Sequence, residues 1–174
     1  MAAAAAAAAA TPPPRCRYVR VHCMQHNAAG TSWLMQHLKL GFPVPLEREP
    51  SHFATIGCDY FNTYFEAVVP ADAEARPAGE DAGPVFCMQV FQNSGNPRFD
   101  EIRFQSVEIA DGFVFVYDVS DPRSLEELKR RFLPPVRDLN GAAPMFLIGT
   151  KADLRADQNR AAETFVPTEE AEQW

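Results

Sequence analysis

Apolar residues recur along this chain with two different periods. Residues 17–23 alternate and predict a strand. After a loop over residues 24–30, apolar positions at 33, 34, 35, 38 and 40 predict an amphipathic helix over 31–40, ended by Gly41 and Pro43. Residues 42–57 read as irregular, with prolines at 43, 45 and 50. Residues 58–69 are dense in aromatic and β-branched side chains and predict a long strand. An Ala/Pro/acidic stretch, 70–84, predicts a disordered hairpin loop before a strand over 85–91, and 92–98 reads as a polar loop. Residues 112–119 are almost wholly apolar, as expected of a parallel strand buried on both faces. Asp121 is the expected cap of a helix whose period runs through Ser124, Leu125, Leu128 and Phe132 until Pro134 and Pro135 interrupt it. A strand over 145–148 and the first turns of a helix over 167–174 complete the order β-α-β-β-(α)-β-α-β-α. The fold class this implies is α/β: a mostly parallel sheet with one antiparallel hairpin and helices on both faces.

Length and composition narrow the setting. With 174 residues the chain has room for one domain with a substantial core. The net charge of −7 argues against a nucleic-acid surface or an anionic-membrane surface, each of which needs a basic face. No apolar stretch approaches the ~20 residues of a membrane span. Cys16, Cys23, Cys58 and Cys87 show no CxxC spacing and read as reduced thiols, which fits an intracellular, cytoplasmic protein. Residues 1–16 are a low-complexity Ala/Pro tail, expected to be disordered, so the domain is placed at 17–174. The tail lacks the basic start of a secretory signal; Arg15, Arg17 and Arg20 leave organellar targeting as the alternative. His22, His26, His37 and His52 have no metal-ligand spacing, and no nucleophile–base pair stands out.

Three segments carry a family resemblance. The first is Ala54-Thr55-Ile56-Gly57-Cys58-Asp59-Tyr60-Phe61. The second runs from Gly112 through Asp118 and Asp121 to Leu125. The third is Phe146-Leu147-Ile148-Gly149-Thr150-Lys151-Ala152-Asp153-Leu154. In this order and spacing they resemble the Ras superfamily of small GTPases, its Rab-like branch most closely. The fold implied is the Ras-like P-loop NTPase fold. Trp174 stands where such proteins continue into a last strand and helix, so the domain is expected to be C-terminally incomplete, with a sheet face left uncovered or covered by a partner.

The resemblance assigns roles residue by residue. Asp153 would accept two hydrogen bonds from guanine, with the Lys151 stem along the base and Thr150 tying the loop to its neighbours; a plain polar turn is the other reading. The phosphate loop corresponds to residues 25–32, so Asn27, Ala28, Ala29, Gly30, Thr31 and Ser32 would surround the phosphates, together with Gly95. Ser32 and Thr55 would face a metal ion. The departures are as telling: Gln25 replaces a glycine, Thr31 the phosphate lysine, Gln92 the aspartate that supports Mg²⁺, and Asn96 the glutamine that orients water. A strand–loop–helix connection without phosphate is therefore the alternative at 25–32. No catalytic residue is assigned. GTP or GDP is the expected ligand, Mg²⁺ lacks its acidic anchor, and hydrolysis is expected to be weak or absent. The second reading is a nucleotide-independent pseudoGTPase that binds protein partners through residues 53–65 and 92–99 or through the uncovered sheet face, without nucleic acid or a membrane anchor.

Overall fold

The computed structural model describes residues 17–26, 28–40, 57–66, 85–156 and 165–174. The expected N-terminal tail, the 70–84 loop, residues 67–69 of the second strand, Asn27 and Thr55 lie outside the described residues.

Five strands form one sheet in the order β2-β3-β1-β4-β5. They are β1 (Arg17–Gln25), β2 (Cys58–Glu66), β3 (Val85–Asn93), β4 (Gly112–Asp118) and β5 (Met145–Thr150). β1 runs parallel to both β3 and β4, β4 runs parallel to β5, and only β2 is antiparallel to its neighbour β3. The helices are α1 (Thr31–Leu40), α2 (Asp100–Phe104), α3 (Pro122–Glu127), α4 (Leu133–Asn140) and α5 (Thr168–Glu172). This is the mixed, mostly parallel α/β sheet that the residue pattern predicts.

The nearly unbroken apolar run of β4 is explained by its central place, because both of its faces are covered. Phe113, Phe115 and Tyr117 join Met24, Leu125, Leu128, Phe132 and Val136 in the larger core, between the sheet and the α3–α4 segment. On the opposite face Val114 packs with the smaller core of Cys23, Met35 and Val90 beneath α1. Burial pushes the Cys23 thiol up to about 12, which keeps it protonated and fits the reading of a reduced core thiol. Gly149 is required by close approach: a Cβ there would stand 2.8 Å from the Tyr117 hydroxyl and from Val119 Cγ1.

Four local expectations are corrected. Pro134 and Pro135 do not interrupt the helix. Residues 128–132 form a π-helical turn in which the Leu133 N–H reaches back to the Leu128 carbonyl, and the prolines enter the first turn of α4. The wider turn accommodates proline rings that would otherwise crowd the preceding turn's carbonyls. Second, β3 continues to Asn93, so Gln92 is a strand residue with a fixed facing instead of part of a polar loop. Third, β5 extends to Thr150, which pairs with Asp118 of β4, so the polar loop begins at Lys151. Fourth, β4 ends at Asp118, not Val119. Asp121 does cap α3, accepting from the Arg123 N–H at 3.2 Å.

Candidate functional site

The parallel strands β1, β4 and β5 end side by side, and their C-terminal loops form the site. At one end lies the loop that follows β5. Thr150 Oγ1 sits 2.5 Å from the Ala29 carbonyl oxygen and 2.9 Å from that of Tyr117, so its one proton links this loop to the β1–α1 loop or to β4. Lys151 adopts a left-handed backbone, with φ of 58°. Its ammonium donates to Asp118 Oδ2 at 2.6 Å. Burial opposes the charge on Asp118, but hydrogen bonds from Lys151 and Ser120 outweigh it and hold the carboxyl below its usual range. The lysine stem crosses Gly30, where Cε lies 3.8 Å from the place a Cβ would occupy. Asp153 stands in the turn Ala152–Ala156, exposed, with a carboxylate that makes no hydrogen bond or ion pair among the described residues. The sequence reading found Thr150, Lys151 and Asp153; it missed Asp118 as the partner of Lys151.

The other end is the β1–α1 loop with the end of β3. Ala28 and Gly30 both take positive φ, 61° and 75°, and the first helical bond of α1 runs from Leu34 N–H to the Gly30 carbonyl at 3.1 Å. Gln25 avoids the left-handed region. Its side chain is buried under the loop, donating from Nε2 to the Asn93 carbonyl at 2.8 Å. The backbone strain falls on Ala28, one position the sequence gave no reason to suspect. Thr31, which the resemblance sets against the phosphate lysine, is 1% exposed, and its hydroxyl has no hydrogen-bond partner among the described residues. Ser32 Oγ accepts a hydrogen bond from Gln92 Nε2 at 2.7 Å.

The loop after β3 is held from below. Arg103 is 1% exposed; its Nη2 donates to the Ser94 carbonyl and, at 3.1 Å, to that of Asn96, spanning Gly95. Asp100 pairs with Arg103 and also with Arg131, while the Arg103 guanidinium lies 4.5 Å from the Phe132 ring centroid. Burial lowers the Arg103 pKa to about 10, against the opposing pull of Asp100, so it is cationic at neutral pH. Asn96 spends its side chain on its own backbone, accepting from Arg98 N–H at 3.0 Å as the cap of a short 3-10 turn. A buried arginine in a polar segment left no periodic signal, and the sequence reading passed over it.

The residues present do not fit a Mg²⁺ ion of the implied kind. Such an ion wants oxygen donors including a carboxylate; here the Ser32 hydroxyl is engaged by an uncharged amide. No group of three or more His, Cys, Asp or Glu side chains among the described residues could hold a metal. The base end fits its expected ligand better, since Asp153 offers an exposed, unengaged acceptor on a loop anchored at Thr150.

Comparisons with known proteins agree with this geometry at the level of the family. A family model described as the Ras family matches residues 52–174. The Rho-related GTP-binding protein RhoV of Homo sapiens is 34% identical over 79 residues, 45% of this chain and 33% of the relative. The Ras-related protein SEC4 of Candida albicans is 32% identical over 105 residues, 60% of this chain and 50% of the relative. The matches thus span about a third to a half of the length of these curated relatives.

Proposed function

The chain belongs to the Ras family, and from that membership we propose that it is a Rab-like guanine-nucleotide-binding protein with weak or no hydrolysis. The observation that carries the proposal is the contrast within one site. Asp153 is exposed and unengaged on a loop hydrogen-bonded to Ala29, while the positions for phosphate charge, metal support and water orientation hold Thr31, Gln92 and Asn96. Phosphoryl transfer depends on positioned charge, and these three side chains supply none. The segment from Ala54 to Phe61 supports the Rab-like placement, whereas Thr150 is the residue found in Rho-like relatives. The expected setting is intracellular.

The test is direct. Protein purified without added nucleotide is denatured and the released small molecules are separated by chromatography. Guanine nucleotide is the expected product, with negligible conversion of added GTP to GDP. Asp153→Ala is expected to reduce the preference for guanine over adenine ligands roughly ten- to a hundredfold, the worth of hydrogen bonds to a charged acceptor. Rapid Mg²⁺-dependent turnover would defeat the hydrolysis part of the proposal; equal binding of adenine and guanine ligands would defeat the rest.

A second reading, a nucleotide-independent interaction module, is favoured by one specific observation. Arg103 fixes the loop through its own hydrogen bonds to the Ser94 and Asn96 carbonyls. Within the proposed contact surface of residues 53–65 and 92–99, the loop after β3 would then present one shape to a protein partner. The sheet face bearing Phe146, 61% exposed, is the other candidate contact.

A further inference from the structure

We infer that this site reads the guanine base and not the phosphates: its ligand class is the guanine nucleoside, and binding needs no divalent cation. The inference rests on the guanine-binding reading above and adds which part of the ligand is recognised.

The first support is the Gln92 amide. Gln92 is 4% exposed and donates from Nε2 to Ser32 Oγ at 2.7 Å, across 60 residues of sequence. A carboxylate and a metal-bound hydroxyl would attract a cation. An amide donor on that hydroxyl occupies one of its two lone pairs and carries no charge to offset a dication. Asp59 faces Gln92 directly in the β2–β3 ladder, so its side chain shares that face of the sheet. It is an exposed carboxylate, and no group of three or more His, Cys, Asp or Glu among the described residues could hold a metal ion.

The second support is the accounting of positive charge. Residues 25–32 and 92–96 contain neither lysine nor arginine. His26 is their one basic side chain. Lys151, the cation nearest to the loop, is committed to Asp118 at 2.6 Å. Arg103 is buried and bound to Asp100 and two carbonyls. A triphosphate would thus bring several negative charges to a chain of net charge −7, and residues 25–32 and 92–96 offer no lysine or arginine to meet them. Backbone N–H groups at the start of α1 could offset part of one phosphate. They cannot offset three. The base, by contrast, meets an unengaged carboxylate at Asp153.

Guanosine, GMP, GDP and GTP are titrated separately into the full chain by calorimetry, each in Mg²⁺ and in EDTA, with adenosine as control. The expected result is four guanine affinities within about threefold of one another, unchanged by EDTA, and no binding of adenosine. GDP or GTP binding about tenfold or more tighter than guanosine, or a similar loss in EDTA, overturns the inference while leaving guanine recognition standing. Absence of any guanine binding overturns both. The probe for the metal alone is Mn²⁺, followed by its electron paramagnetic resonance. Wild type is expected to leave Mn²⁺ free, whereas Gln92→Glu, which sets a carboxylate where the amide stands, is expected to bind it. Wild-type Mn²⁺ binding that Asp59→Asn abolishes would show the acid relocated to β2 and refute cation independence.

Discussion

At one end of the site Asp153 stands in water on a loop whose tie, Thr150 to Ala29, is made to a backbone carbonyl. At the other end Gln92 and Ser32 satisfy each other, and Arg103 holds the carbonyls on both sides of Gly95. The first end leaves its recognising group open to a ligand; the second turns its polar groups inward. On the proposed reading, the difference is the reason base recognition and phosphate chemistry part company within one fold. The Thr150 tie depends on the path of the β1–α1 backbone, and that path is kept by Ala28 and Gly30 at positive φ whether residue 31 is charged or not. On the proposed reading the phosphate end depends on the charges themselves, so uncharged side chains at 31 and 92 are enough to neutralise it.

The sharpest way to break the contrast is to remove the arginine that closes the phosphate end. Arg103→Leu leaves the buried Ser94 carbonyl and the part-buried Asn96 carbonyl without their donor and is expected to lower stability by about 3 kcal/mol, read by urea denaturation. Amide exchange should rise in residues 94–99 while the loop at 150–153 is unaffected. A variant as stable and as protected as wild type would mean that the loop is held by other contacts.

Acid should attack the same end. Burial depresses the His22 pKa from 6.5 to about 4. His22 stacks on Phe91, with ring centroids 4.7 Å apart, and stands 3.4 Å from Asn93 Nδ2. Between those two values the unfolded chain binds a proton that the folded one refuses. The His22 contribution is therefore complete above about pH 6.5 and is lost as pH falls towards 4, by an amount on the order of 3 kcal/mol. Urea midpoints at pH 7.5, 6 and 5 check this, and His22→Phe should flatten that interval. A wild-type midpoint constant across it would refute the assignment.

The smallest effect belongs to the tie between the two ends. Thr150→Val keeps the shape and removes the hydroxyl, with an expected loss of about 1 kcal/mol. Guanine affinity should fall with it, since the loop bearing Asp153 loses its anchor. Unchanged affinity in a destabilised variant would show that the tie serves folding alone.

Much of the fold was legible because its signals are local. The alternation in β1, the unbroken apolar run of β4 and the cap at Asp121 each state their element within a few residues. The boundaries that moved did so where tertiary contacts overrode composition. Gln92 and Asn93 look like loop but pair with Asp59 and Cys58 on β2, and two prolines look like a stop until a π turn accommodates them. Of the site, Thr150, Lys151 and Asp153 were legible as three of four consecutive positions to which the resemblance assigns one chemical purpose. Ser32 was legible as a hydroxyl, but the group that engages it was not.

The chain's own sequence determined the order of elements, the mixed sheet they form and the absence of charge at residues 31 and 92, since period, propensity and side-chain charge are properties of neighbouring residues. Only the tertiary structure decided where the remaining polar groups point. Gln92 meets Ser32 through the register of β3 against β1, Lys151 reaches Asp118 through β4 beside β5, and Arg103 is buried because Asp100, Phe132 and two loop carbonyls converge on it. Such contacts join residues far apart in the chain, and a hydrogen bond forms only where packing brings donor and acceptor to within about 3 Å of each other.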